Sequence, residues 1–151
     1  MTTQAPSAGT RIVVGVDGSE PSKLALSWAV RIAATTGASI DAVMAWHFPV
    51  NYGWGFVPPD EWDPETDATK CLTDTVDETF GAERPTGLRL LVRQGLPAKV
   101  LLDESKGATM LIVGSRGHGG FSGLLLGSVS ANCAEHATCP VLVIHGDRPT
   151  P

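Results

Sequence analysis

Between Val113 and Ser130 the chain reads VGSRGHGGFSGLLLGSVS, with six glycines from Gly114 to Gly127. Glycine weakens helices and strands, so this density marks backbone that must take conformations, or allow close approaches, that other residues resist. The segment leaves a β-branched run and enters a helical pattern near GSVS. A helix start presents unpaired N–H groups and about half a positive charge, a setting suited to an anion. Ser128 and Ser130 add hydroxyls at that end, and Gly114 and Gly117 would let backbone approach a phosphate with no Cβ in the way. No Asp or Glu occurs between Ala108 and Ala134, although the chain carries a formal charge of −5; Arg116 and His118 lie inside that gap. A phosphate site is the chemistry these residues predict. The competing account is a surface loop whose glycines only permit turns, with Leu124–Leu126 covering the core.

Other chemistries lack their residues. There is no GxxxxGK[ST], and a dinucleotide GxGxxG starting at Gly117 fails because Ser122 occupies its last glycine position. It would also belong after the first strand, where the chain has VDGSEPS instead. The four histidines show no HxxxH or Cys/His metal spacing. Cys71, Cys133 and Cys139 cannot all pair and form no CxxC, which predicts reduced, partly buried thiols.

The elements that must hold the loop follow from periodicity. RIVVGVD (Arg11–Asp17) reads as a buried strand. Ser19 then caps a helix with Pro21 in its first turn, where Leu24, Trp28 and Ile32 run beside Ala25, Ala29 and Ala33 until Gly37. Ala38–Trp46 is a second strand. A proline- and aromatic-rich segment follows, and Pro64 opens a helix with Ala68, Leu72, Val76 and Phe80 on one face. Leu88–Gly95 is a strand, Pro97–Lys106 a short helix, Thr109–Gly114 a strand, Gly127–His136 the last helix and Pro140–His145 the fifth strand. Nearly unbroken apolar strands alternating with helices predict an α/β single-domain open sandwich with a parallel sheet covered on both faces. In such sheets ligands lie beyond the carboxyl ends of strands where the order reverses, which brings Asp17, the end of strand two and Gly114 to one crevice. Residues 1–10 read as a loose arm, 11–146 as the domain and 147–151 as a tail.

The glycine segment also carries a specific spacing. GSRG, nine residues, then GS sets Gly114, Gly117, Gly127 and Ser128 at fixed places, and resembles the ATP-binding signature of the universal stress protein family. VVGVDGSEPS resembles that family's first strand and turn, and GSVSANCAEHATCPVLVIH its closing helix and strand. The resemblance covers Arg11 to about His145. It implies a five-stranded parallel sheet of order 3-2-1-4-5 with two helices on each face, and a homodimer paired through the last strand, about Val141–Ile144. It implies bound ATP with Mg²⁺. Asp17, after Gly15 and Val16, would lie near ribose and phosphates and carry the metal through water. Ala45 and Val113 would flank the adenine, with Ala45 a shallow wall because it is small. Gly114, Arg116 and Gly117 would contact ribose and phosphate, and Gly127, Ser128, Val129 and Ser130 would grip the phosphates. Asp17, Ser128 and Ser130 have the plainer role of turn and helix caps as the alternative, and Ala45 and Val113 that of core residues.

The function so implied is an ATP-binding stress-response regulator. A slow ATPase or other phosphate-transferring enzyme, and a binder of cyclic AMP or another adenine nucleotide, are the alternatives. Arg116 and His118 are the only catalytic candidates, and no carboxylate in the loop could act as base; a backbone cradle binds ground and transition states alike and does not raise turnover. The 151 residues suffice for one domain with a core, and the net charge argues against nucleic acid or an anionic membrane as partner. MTTQAPSAGTR has no apolar signal region and no run is long enough to span a bilayer, which predicts a cytoplasmic protein. Six of the nine aromatic residues fall between Trp46 and Trp62, a segment suited to a satellite core, a lid or a protein partner.

Overall fold

Ile12, Val13 and Val14 are all sealed from solvent, which a strand achieves only when both of its faces are covered. The computed structural model describes residues 10–48, 63–116 and 126–145. They form β1 (Arg11–Gly15), α1 (Glu20–Thr36), β2 (Ser39–Trp46), α2 (Pro64–Phe80), β3 (Leu88–Gln94), α3 (Pro97–Glu104), β4 (Met110–Gly114), α4 (Ser128–His136) and β5 (Val141–Ile144). The order β3-β2-β1-β4-β5 is parallel throughout, as expected, with Val13 opposite both Asp41 and Leu111 and Ile112 opposite Leu142. Element ends differ from the sequence expectation by one or two residues; α3, for instance, closes at Glu104 rather than Lys106.

Alternate strand residues build two cores. Ile12, Val14, Ile40, Ala42 and Met44 pack under α1 and α2 with Ala25, Leu26, Leu72 and Val76. Val13, Val43, Leu111 and Val113 pack under α3 and α4 with Val100, Leu101 and Cys133. Helix α1 meets the sheet through Leu26 and three small residues: Ser22, Ala25, Leu26 and Ala29 are buried, while Leu24, Trp28 and Ile32 are only partly so. The expected apolar stripe is therefore rotated toward the alanines, which allow the closer approach.

Two of the four described helices are closed by their own side chains. Ser19 accepts from the Ser22 N–H at the start of α1, and Asp63 accepts from the Thr66 N–H at the start of α2. At the opposite, amino end of the sheet, Asp41 is 1% exposed. Arg89 holds it bidentately at 2.8 and 2.9 Å, and the Arg11 Nη1 lies 3.3 Å from its Oδ2. Arg11 also donates to the carbonyls of Glu104 and Lys106, both at 3.0 Å. These bonds satisfy the carbonyl of Glu104, which the last turn of α3 leaves without a helical partner, and that of Lys106 just beyond the helix. The cluster fixes β1, β2, β3 and α3 together, and nothing in the local sequence pattern announces it. Of the other expectations, those on the arm (apart from Thr10), the tail, residues 49–62, Gly117 and His118 lie outside the described residues.

Candidate functional site

The four described helices all begin at the carboxyl edge of the sheet, so four positive helix ends point there. They are not equivalent. The first turn of α1 contains Glu20 and that of α2 contains Glu65 and Asp67, in addition to their capping side chains. Neither α3 nor α4 has an acid in its first turn or a side-chain cap. The face covered by α1 and α2 is thus neutralised at its carboxyl edge, and the face covered by α3 and α4 is open to an anion.

Helix α4 is the better placed of the open pair, because β4 and β1 flank the point where the strand order reverses. Its N-cap, Gly127, has φ −72° and ψ 171°. That is an ordinary extended conformation that any residue adopts. The Gly127 N–H donates to the Ser115 carbonyl at 2.6 Å, and the Ala131 N–H closes the first helical bond onto the Gly127 carbonyl at 2.9 Å. The amides of Ser128, Val129 and Ser130 lie between these two and have no partner within the helix. Ser130 is 2% exposed, and its hydroxyl lies 2.8 Å from the Ser115 carbonyl and 3.2 Å from that of Gly127. That hydroxyl serves the protein, and Ser130 offers a ligand only its amide. Ser128 is exposed.

Ser115 is the residue that sequence reasoning misses. It is buried, its N–H donates to the Ile144 carbonyl at 2.7 Å, and its carbonyl receives both the Gly127 N–H and the Ser130 hydroxyl. The backbone of this one residue therefore pins both ends of the glycine loop to the sheet. A serine three residues into a helix, preceded by Gly-Ser at its start, gives a signal for capping but not for its long-range partner.

Two glycines have packing roles as well. A Cβ on Gly114 would stand 2.6 Å from the Pro21 Cβ and 3.1 Å from its carbonyl carbon. Helix α1 crosses β4 there at a distance only glycine permits. A Cβ on Gly15 would stand 2.7 Å from Leu101 Cδ1, the far end of a flexible side chain. Val16 donates its N–H to the Val43 carbonyl at 2.9 Å, and its side chain belongs to the core under α1 and α2. Asp17 is exposed at the edge, its Oδ1 accepting from the Ser19 N–H at 2.9 Å and from the Ser19 hydroxyl. It orders the turn that starts α1. Val113 is buried and Ala45 half-buried, and both belong to the core on the α3 and α4 side. Arg116, half-buried, follows Ser115 directly.

The metal expectation meets a sparse donor set. Among the described residues no group of three or more His, Cys, Asp or Glu could hold an ion. Mg²⁺ bound with a phosphate keeps several waters and needs one carboxylate from the protein, so Asp17 alone fits that ion and no more demanding one. A cavity of about 350 Å³ opens between Gly18 and α2, but Asp67, Asp74 and Glu78 line it, and these carboxylates disfavour a phosphate. Among the described residues no helix is long and apolar enough to cross a membrane.

A doubly wound parallel sheet with an uncapped helix start at its reversal point defines an open α/β domain with a crevice at its carboxyl edge. Residues 9–145 match the model of the Universal stress protein family, and the chain belongs to that family. It is 34% identical over 144 residues to a universal stress protein of Mycolicibacterium smegmatis, covering 88% of this chain and 45% of the relative. It is 35% identical over 142 residues to one from Mycobacterium tuberculosis, covering 87% and 44%. The chain spans less than half the length of these relatives. Among solved structures it is similar to a universal stress protein in complex with cAMP, at 29% identity and TM-score 0.67 over 91% of this chain and 97% of that one. It is also similar to the Archaeoglobus fulgidus universal stress protein in complex with dAMP, at 26% identity and TM-score 0.60 over 89% and 97%.

Proposed function

We propose that this chain is a stress-response regulator that binds an adenine nucleotide, Mg-ATP in the first instance, at the carboxyl edge between β1 and β4. The observation that carries this reading is the start of α4, where three amides lack helical partners and neither a side-chain cap nor an acid competes for them. In this reading the phosphates rest on the amides of Ser128, Val129 and Ser130. Gly127 gives them clearance, Arg116 and Gly117 neutralise and surround them, and Gly114 and Gly15 border the ribose. Asp17 supplies the single protein ligand to Mg²⁺, which screens the phosphate charge when bound. The base lies between Ala45 and Val113, beside the backbone of Val16.

The complexes of similar proteins with cAMP and dAMP support an adenine nucleotide and favour cyclic AMP as the second reading. A regulator rather than an enzyme is the better account. The phosphate contacts are backbone amides in a fixed array, which hold substrate and transition state alike. The regulator is proposed to act in the cytoplasm as a homodimer paired through β5, an apolar edge strand that pairing would cover. Light scattering at twice the chain mass checks that assembly. Residues 46–62 are proposed as the surface a protein partner would use.

The experiment is calorimetric titration of nucleotide-stripped protein with Mg-ATP, ADP and cyclic AMP, repeated on Gly127→Val. Micromolar binding, about −8 kcal/mol, is expected for the wild type. The valine side chain should abolish it while thermal unfolding stays cooperative, because the backbone at this position is one any residue adopts. Unchanged affinity in Gly127→Val refutes the phosphate assignment.

A further inference from the structure

Leu96 breaks two local rules at once. It is the N-cap of α3, a position that serine, threonine, aspartate and asparagine fill far better, and it makes no side-chain capping bond there. It is also 55% exposed, one of only two exposed large hydrophobic residues among those described, the other being Phe48 at 41%. Both stand at the carboxyl edge, just beyond the ends of β3 and β2. Violations of local preference that coincide at a functional edge point to a role outside folding.

The surrounding backbone fixes where Leu96 stands. The β2–β3 pairing ends with the Gly95 N–H donating to the Trp46 carbonyl at 2.8 Å. Gly95 then turns at φ +145°, and the Val100 N–H closes the first bond of α3 onto the Leu96 carbonyl at 2.9 Å. The turn delivers the chain to the α3 and α4 side of the sheet, the side to which Ala45 and Val113 belong. The strand order β3-β2-β1-β4 places the start of α3 three strand spacings from the strand that leads into α4. At the usual separation of neighbouring strands that is roughly 14 Å. A phosphate at α4 with the ribose at Gly114 and Gly15 puts the base between Val113 and Ala45, with its Ala45 side toward the end of β3. Ala45 is too small to form a wall there.

We infer that Leu96 is the apolar wall for the purine base, and that it sets affinity for the base rather than for the phosphate. This rests on the nucleotide reading above and adds a specificity-determining residue to it. Serine at this position caps a helix better than leucine, and Leu96 belongs to neither core. The function and the stability of the protein therefore make opposite demands on residue 96.

The test is Leu96→Ser with Leu96→Met as the conservative variant, each titrated with AMP and with ribose 5-phosphate and followed through thermal unfolding. Leu96→Ser is expected to unfold at the wild-type temperature or above it, to lose about tenfold in AMP affinity and to keep its affinity for ribose 5-phosphate. Leu96→Met should retain both. Unchanged AMP affinity in Leu96→Ser, or an equal loss for both ligands, overturns the assignment. Wild-type protein that binds AMP no better than ribose 5-phosphate overturns this assignment, and wild-type protein that binds none of AMP, Mg-ATP and cyclic AMP overturns the nucleotide reading with it.

Discussion

Gly114→Ala isolates a question the glycine loop poses, whether its first glycine exists for a ligand or for the fold. The added methyl carbon would lie 2.6 Å from the Pro21 Cβ and 3.1 Å from the Pro21 carbonyl carbon. Carbon atoms pack best at about 3.5–4.0 Å, so the first turn of α1 and the end of β4 must separate by about 1 Å. Neither partner is the loose end of a side chain. Pro21 is rigid and lies in the turn capped by Ser19, and β4 is hydrogen-bonded on both sides. Overpacking of this kind costs about 1–3 kcal/mol. For a chain of this length about 2 kcal/mol lowers the midpoint by roughly 4–8 °C. Differential scanning calorimetry of ligand-free protein reads that shift directly. The cause is isolated by pairing the substitution with Pro21→Gly, which removes the nearer of the two atoms. Gly114→Ala should cost about 1 kcal/mol less in that background than alone. Ligand-free Gly114→Ala protein that melts with the wild type refutes the packing argument, and a loss of nucleotide affinity without loss of stability assigns Gly114 to the ligand instead.

Two other outcomes follow from the same geometry. Asp41→Asn keeps the volume but removes the charge that Arg89 and Arg11 share, and stability should fall by about 2 kcal/mol in urea titration. The loss stays below the range for fully buried pairs because the Arg89 side chain is 64% exposed. Nucleotide affinity should hold, since this cluster lies at the amino end of the sheet. Burial pushes the Cys133 thiol up to about 11, whereas Cys71 is exposed. Cys133 therefore stays protonated across the neutral range, and a protonated thiol is a poor nucleophile. Iodoacetamide at pH 8 on the native protein should label Cys71 and spare Cys133 until denaturant is added, as read by peptide mass spectrometry. Equal labelling of the two in native protein would contradict the burial of Cys133.

Features that depend on near neighbours along the chain are legible in the sequence. Strand and helix periodicity, Ser19 and Gly37 as caps, and the helix start at Gly127-Ser128 are all local signals, and each leads to the element found. The alternation of strands and helices limits the topology, and the strand order that the structure has is the one the family resemblance implies. Which of these signals share a face is settled only by the folded chain. That α3 and α4 are the uncapped pair, and that they cover one face together, depends on how separate helix starts assemble along one edge. Gly114 reads in sequence as clearance for a phosphate, and its contact with Pro21 exists only because α1 crosses β4. Asp41, in the middle of an apolar strand, gains its meaning from arginines on β1 and β3, and the Ser115 carbonyl from a helix that starts beyond the loop. Leu96 reads as an ordinary apolar residue before a proline; the folded chain leaves it exposed beside the crevice. Propensity and capping act within a few residues, whereas close packing and charge pairing are set by contacts between segments that the chain order keeps apart.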